Sequence, residues 1–416
     1  MKVGFVGLGK LGLPCAVSTS LTSGNEVMGY DVNPRRMTTQ PQDYREAGPA
    51  GEGDFNDWLK DSPIKFGSLQ EVCDHAEIIF LAVQTPHQPA YEGVTRIPPT
   101  RADFDYTWLK GAVKDTVACI TKPTVLAVIS TCLPGTMERE IRPLLSEHTS
   151  LVYNPFFIAM GTTMRDFLDP EFILLGVDDP EAAQLVERFY ATVTTAPVCR
   201  MSVESAELTK VCYNTYISAK IAVANTIMEI CDAIPKADCD EVVDALSMGH
   251  RRIISPAYMR GGMGDGGGCH PRDNIAMSWL ARELGLSFDL FDSIMMCREK
   301  QAEWLAHLCL KGHVGTGLPV IILGYAFKPG TDLTVGSPAE LVASLIRETG
   351  TVNPILIDAH VEPGMKLPPY PAVILVGCKH PEYADMNFFP GSIVIDPFRM
   401  VKSQLGVNVV RLGEKQ

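Results

Sequence analysis

At 416 residues the chain is longer than one hydrophobic core usually supports, so two or three domains are expected. Apolar residues make up 46% and charged residues 20%, which are globular values. A net charge of −13 with a pI near 5.2 argues against a broad basic surface for nucleic acid or for an anionic membrane. The 12 cysteines are scattered without a Cys-x-x-Cys pair, a pattern that fits neither a zinc ribbon nor a disulfide framework, so no metal and a reducing, cytoplasmic setting are expected. The N-terminus reaches glycine too early for a signal-peptide core, and no run of about 18 apolar residues follows.

Lys2–Val6 reads as a buried strand running into Gly7-Leu8-Gly9-Lys10-Leu11-Gly12, which opens an apolar helical stretch. A second strand, Glu26–Tyr30, ends at Asp31. Strand, G-x-G-x-x-G, helix and a strand-end acid about 20 residues on form the dinucleotide-binding pattern. The glycines give a tight turn and let pyrophosphate approach backbone N–H groups, while Asp31 would accept from ribose hydroxyls. Asp31 favours NAD over NADP. Arg35 and Arg36 lie close enough to leave the 2′-phosphate as an alternative. Gly7, Gly9, Lys10, Leu11, Gly12, Asp31, Arg36, Thr85 and Thr131 are the cofactor-binding candidates.

Further strands are expected at Ile78–Val83, Val125–Ser130, Leu151–Tyr153 and Phe172–Val177, alternating with helices at Tyr106–Cys119 and Met137–Leu145. That alternation predicts a parallel, doubly wound sheet. Gln84–Phe104, with His87, Pro89, Pro98 and Pro99, reads as a long loop that either covers a ligand or is an insertion without a role.

After Pro197 an uninterrupted helical pattern runs from Ser202 to Asp232, followed by helices at Glu241–Met248, Asp273–Leu284 and Leu290–Cys309. Between them Gly264-Asp265-Gly266-Gly267-Gly268-Cys269-His270-Pro271-Arg272-Asp273 puts a thiol after a glycine run and an acid four residues later. A backbone without side chains lets a ligand approach the sulfur, and a thiol against an electrophilic carbon can form a covalent intermediate. Taken alone, the same stretch also suits a glycine loop before a buried structural cysteine.

Strands return at Val320–Leu323, Ile355–Ile357, Ala372–Val376 and Ser392–Ile395, with a helix at Ala339–Arg347. Gly324-Tyr325-Ala326-Phe327-Lys328 places a lysine just after a strand, where it either pairs with a phosphate or is a solvated turn residue. The expected fold is therefore α/β, with two Rossmann-like doubly wound domains joined by a long helix within an all-helical middle domain. The boundaries expected are 1–199, 200–312 and 313–416.

Together these stretches, with Ser130-Thr131, Pro134-Gly135-Thr136, Asn154-Pro155 and Ala206-Glu207-Leu208-Thr209-Lys210 followed by Asn214, make a chain that resembles the UDP-glucose/GDP-mannose dehydrogenase family over essentially its whole length. The resemblance implies oxidation of the C6 alcohol of a nucleotide sugar to a carboxylate in two NAD-dependent steps. A soluble protein is expected from the lack of an apolar span, and the long central helix has enough apolar surface for a homodimer seam, while packing within one chain would explain the same pattern. The resemblance also implies that Cys269 forms a thiohemiacetal and then a thioester, which water cleaves. Lys210 and Asn214, at i and i+4 on one helix face, would stabilise negative charge on the substrate oxygen. Asp273 and Thr131 would organise a proton-accepting water. Lys328, Gly266, Gly267 and Arg252, the last from a partner subunit, would bind substrate.

The chain also departs from the family pattern. Glutamates of the family correspond to Phe156 and Met160, both placed by the resemblance against the substrate, and a phenyl ring cannot accept a proton from water. Arg272 replaces a lysine, His270 and Asp265 replace aromatic residues, and Val335 replaces an arginine. Three readings follow: a four-electron dehydrogenase that activates water through Asp273, Thr131 or His270; a dehydrogenase that stops at the aldehyde or diverts its thioester; and an inactive nucleotide-binding homologue.

Overall fold

The computed structural model describes residues 1–416 apart from 43–45, 87–101, 160, 256, 259, 268–269 and 415–416, and apart from the side chains of 272 and 276. Most of the Gln84–Phe104 stretch, Met160 and Cys269 thus lie outside the described residues. Two compact units divide the chain, Met1–Ser218 and Ala219–Gln416.

The first unit begins with β1 (Lys2–Val6), α1 (Gly12–Leu21) and β2 (Glu26–Tyr30), followed by α2 (Phe55–Lys60), β3 (Lys65–Phe66), α3 (Leu69–His75) and β4 (Ile78–Leu81). It continues through α4 (Thr107–Cys119), β5 (Thr124–Val128), β6 (Thr149–Tyr153), α5 (Thr163–Leu168), β7 (Ile173–Val177), α6 (Pro180–Tyr190) and β8 (Val198–Met201). The strands form one sheet in the order β3-β2-β1-β4-β5-β6-β7-β8. Its central strands read as unbroken apolar runs because both faces are covered. Val3, Phe5, Phe80 and Ala127 face one layer with α1 and α6, whereas Val6, Ile79, Leu81 and Val128 face the other with α3 and α4. The order reverses between β1 and β4, and ligands of doubly wound sheets bind outside the carboxyl ends of strands at such a point.

Two details differ from the sequence pattern. β7 pairs antiparallel with β6, then parallel with β8, so the sheet is not parallel throughout. The link between β6 and β7 carries only the six-residue α5, too short a helix to return the chain along the sheet as a parallel crossover requires. The helix expected at Met137–Leu145 is a π-helical turn, Met137–Ile141, followed by a 3₁₀ turn, Arg142–Leu144. Pro143 has no N–H for an α-helical bond and would clash with the carbonyl four residues earlier.

α7 (Val203–Ala233) is a 31-residue helix, about 46 Å at 1.5 Å per residue, whose first half belongs to the first unit. The second unit adds α8 (Cys239–Ser247), α9 (His270–Leu284), α10 (Leu290–Thr316), β9 (Val320–Leu323), α11 (Pro338–Glu348), β10 (Ile355–Ile357), β11 (Val373–Val376), β12 (Ile393–Asp396) and β13 (Asn408–Arg411). α10 runs seven residues past the expected Cys309. It stops at Gly317, which adopts φ 73° and donates to the His313 carbonyl, while Gly312 lets the helix approach Val373 on β11. The five strands pair in parallel in the order β10-β9-β11-β12-β13, a second doubly wound sheet with its switch point between β9 and β11.

Candidate functional site

Gly7 follows β1 at φ 93°, and a Cβ there would meet the Ala82 carbonyl oxygen at 2.5 Å. A Cβ at Gly12 would lie 1.9 Å from the Gly7 oxygen, so both positions demand glycine. Gly9, by contrast, has open space around it. Leu11 at the start of α1 offers no side-chain cap, and no acid stands in the first turn. The uncapped N–H groups and the helix dipole are what a pyrophosphate requires. Asp31 holds this turn: Oδ2 accepts from the Leu8 N–H at 2.6 Å and Oδ1 from the Asn33 N–H at 2.7 Å. An ionised carboxylate has about four acceptor sites, so capacity remains for two ribose hydroxyls. The residues present therefore fit NAD. Arg36 donates to Gln42 at 3.0 Å, and Lys10 is exposed beside the turn. Asp31→Ala is expected to raise the KM for NAD roughly 10–100-fold, the loss of hydrogen bonds to a charged group. A KM within twofold of wild type would remove Asp31 from the ribose site.

At the carboxyl ends of β4 and β5 the chain is cross-tied. The Thr85 hydroxyl donates to the Thr131 carbonyl at 2.8 Å, and the Ser130 hydroxyl donates to the Val83 carbonyl. Thr131 thus stands beside the switch point with its main chain held. The loop that follows is anchored by Glu207, a fully buried acid on α7. Its Oε2 accepts from the Gly135 N–H at 2.6 Å and its Oε1 from the Met137 N–H at 2.7 Å. Burial pushes this carboxyl up, against the pull of the two N–H groups. With both oxygens accepting from main-chain N–H groups, Glu207 fixes α7 against the Thr131 loop one turn before Lys210. Sequence motif alone gave Glu207 no role; its signal is an acid aimed at the start of a helical turn.

β6 leads into Asn154, whose Nδ2 donates to the Leu174 carbonyl at 3.0 Å and whose Oδ1 accepts from Tyr190 at 2.5 Å. The next turn is thereby set. Phe156 points its ring into the core, 5.5 Å from Phe167 and 6.4 Å from Phe80. Its carbonyl accepts from Lys210 Nζ at 2.6 Å, and the ammonium also lies 4.8 Å from the Phe157 ring centre. Lys210 is only 8% exposed, and burial holds its pKa below the usual lysine range. One turn on, Asn214 joins Lys210, Tyr213, Phe157, Asp166 and Glu171 in lining a pocket of about 370 Å³. The pocket's Asp166 is already committed, accepting from the Ala159 N–H, Thr162 and Arg165. The structure thus joins Lys210, Asn214 and the Phe156 backbone, and leaves the Phe156 ring out of the pocket.

In the second unit the glycine run is closely packed. A Cβ at Gly267, which has φ 84°, would lie 2.8 Å from the Phe327 ring, and one at Gly266 would lie 3.1 Å from the Gly336 oxygen. The loop is glycine because it packs against the segment after β9. Gln301 on α10 donates to the Gly262 carbonyl at 2.7 Å, and Arg298 donates to the carbonyls of Asp265 and Gly336, both at 3.0 Å. His270 and Asp273 occupy the first turn of α9, and Arg252 is exposed on the segment after α8.

Lys328 is exposed just past β9, on a loop tied down by Asp358 at the end of β10. Asp358 Oδ2 accepts from the N–H groups of Tyr325 and Ala326, both at 2.9 Å, as Asp31 does in the first sheet. Among the described residues His360, His380 and Glu382 bring potential ligand atoms within 4.8 Å. Both nitrogens of His380 are already engaged, Nδ1 by the Gly330 N–H and Nε2 by Asp358. The cluster therefore serves to shape the Lys328 loop.

Two family models match the chain: the NAD binding domain of the UDP-glucose/GDP-mannose dehydrogenase family over residues 1–194, and the central domain of the same family over residues 204–299. The chain belongs to this family. It is an NAD-dependent dehydrogenase, as the glycine motif and Asp31 lead one to expect. The GDP-mannose 6-dehydrogenase of Pseudomonas putida is 29% identical over 362 residues, covering 83% of this chain and 78% of that protein. A UDP-glucose 6-dehydrogenase of Bacillus subtilis is 25% identical over 359 residues, covering 84% and 74%. The fold is that of GDP-mannose dehydrogenase from Pseudomonas aeruginosa, solved as a ternary complex, with a TM-score of 0.84 at 22% identity over 98% of this chain and 99% of that one.

Proposed function

We propose that this dehydrogenase oxidises the primary, C6-type alcohol of a nucleotide sugar to a carboxylate in two NAD-dependent steps, with Cys269 carrying the substrate between them. The observation that carries the reading is Lys210: a desolvated ammonium held by the Phe156 carbonyl at the wall of a pocket it shares with Asn214. A cation there stabilises charge developing on a substrate oxygen far better than it would in water. NAD, when bound at the Gly7–Gly12 turn, accepts a hydride at each oxidation.

The rest belongs to this chain's side chains. Thr131 and Asp273 hold the water that takes the alcohol proton. Lys210 and Asn214 bear the charge on O6. The Cys269 thiolate adds to the aldehyde carbon to give a thiohemiacetal, and loss of the second hydride leaves a thioester that water cleaves. Lys328, at the switch-point edge of the second sheet, pairs with the diphosphate, and Arg252 is supplied across a homodimer. Exposed Ile221, Met228, Leu246, Ile253, Trp279 and Phe288 on the second unit's helical part supply apolar surface for that dimer. No helix among the described residues is long and apolar enough to cross a membrane.

The test is a count. Purified chain is supplied with excess NAD and limiting GDP-mannose or UDP-glucose, and NADH formed is divided by sugar consumed. Two per sugar is expected. One would mean that the reaction stops at the aldehyde, and none with a panel of nucleotide sugars would overturn the assignment.

A further inference from the structure

Cleaving a thioester needs a base to take a proton from water. Position 156 supplies none, since the Phe156 ring is turned into the core and its carbonyl is occupied by Lys210. We propose that His270 is the catalytic base for thioester hydrolysis and that Asp265, itself fixed by Arg298, is its positioning residue. This rests on the reading of Cys269 as the acyl carrier and names how that acyl group is released.

Asp265 and His270 bracket Cys269 in the chain, four residues before it and one after. Both are departures from the family pattern, and the fold turns them toward each other. His270 Nδ1 lies 3.8 Å from Asp265 Oδ2, while Asp265 Oδ1 lies 3.0 Å from Arg298 Nε. Arg298 has a side chain only 12% exposed and is held in turn by the Gly336 carbonyl. One carboxylate oxygen is therefore anchored by a nearly buried guanidinium, and the other faces the imidazole. Such contacts are commonly long before substrate binds and tighten around it.

A carboxylate 3.8 Å from Nδ1 favours the tautomer that carries its proton on that nitrogen and its lone pair on Nε2. His270 is also the first residue of α9, which fixes its main chain beside the glycine loop. Its side chain is 59% exposed, so water reaches the ring. Among the described residues Asp265 stands against the ring, with Arg298 behind that carboxylate and Asp273 three residues along the same helix.

In the step itself Nε2 takes a proton from water as the water oxygen bonds to the thioester carbon. The carbon–sulfur bond then breaks with its electron pair going to Cys269, which leaves as thiolate. The product departs as the carboxylic acid and ionises, the imidazolium returns its proton to the thiolate, and nothing is oxidised or reduced.

His270→Gln in the full chain tests this, with excess NAD and whichever of GDP-mannose and UDP-glucose the wild type oxidises. Rapid mixing should show two NADH per chain formed at the wild-type rate, followed by a steady state slower by roughly 10²–10⁴-fold. The quenched protein should carry the acyl group by mass spectrometry, and hydroxylamine should remove it. Should that variant not fold, His270→Ala assayed with and without added imidazole reads the same step, with rescue expected. An unchanged steady-state rate, or equal loss of the first turnover and the steady state, would overturn the role of His270. If the wild type itself makes fewer than two NADH per sugar, the underlying reading fails instead.

Discussion

Cys269→Ser is expected to halve the yield of NADH, from two to one per sugar, and to let the aldehyde accumulate. The first oxidation needs only a base for the alcohol proton and a cation for the oxygen, and neither is the thiol. The second needs a tetrahedral adduct from which hydride can leave. A cysteine is a few per cent thiolate at neutral pH and intrinsically nucleophilic, whereas a serine hydroxyl needs a strong base beside it. Acid formation should therefore fall by at least about 10³-fold, the order seen when a covalent nucleophile is removed. Trapping with a hydrazine reagent measures the aldehyde directly. Two NADH per sugar at the wild-type rate from this variant would rule out the thioester route, and His270 would then have no thioester to act on.

What could be read from sequence follows from which interactions are local. The strands Val320–Leu323 and Ile355–Ile357 match to the residue, because each is a short uninterrupted apolar run bounded by turn residues. The Gly7–Gly12 motif and Asp31 were legible for the same reason: turn, helix start and strand-end acid lie within one βαβ unit. The Lys210 and Asn214 pair needed only helical spacing. The reversal of β7 was not legible, since strand direction depends on what the connection can span.

Nor could the direction of Phe156 be read, because a residue replacing a glutamate by alignment carries no information about whether its ring faces the pocket or the core. Glu207 and Arg298 were missed for a related reason. Each acts on backbone N–H or carbonyl groups more than 30 residues away, and such contacts leave no periodic trace. The glycine run reads as room for a ligand, and at Gly266 and Gly267 a side chain would also meet Gly336 and Phe327, which the sequence does not show. Glycine marks a close approach without naming what approaches.

Lys210→Met separates charge from packing at the centre of the proposed site. Methionine keeps most of the length and apolar contact of the lysine stem and removes the ammonium. Turnover should fall by about 10²–10³-fold, the loss that follows removal of one preorganised donor to a developing oxyanion. The KM for NAD should stay within about twofold, because the Gly7–Gly12 turn is held by Asp31 and not by Lys210.

The pH dependence gives a second signature. Burial lowers the pKa of Lys210 from the ordinary 10.5, so between the lowered value and 10.5 the unfolded chain binds more protons than the folded one. Over that window the contribution of this group to stability rises with pH. Activity must move the other way, since the deprotonated amine no longer neutralises charge on O6. Wild type should therefore lose turnover below pH 10.5 while its unfolding midpoint gains from this group, and Lys210→Met should show neither trend. If the variant keeps wild-type kcat with only its stability altered, Lys210 is a packing residue of α7, and the assignment of the pocket to the substrate alcohol falls with it.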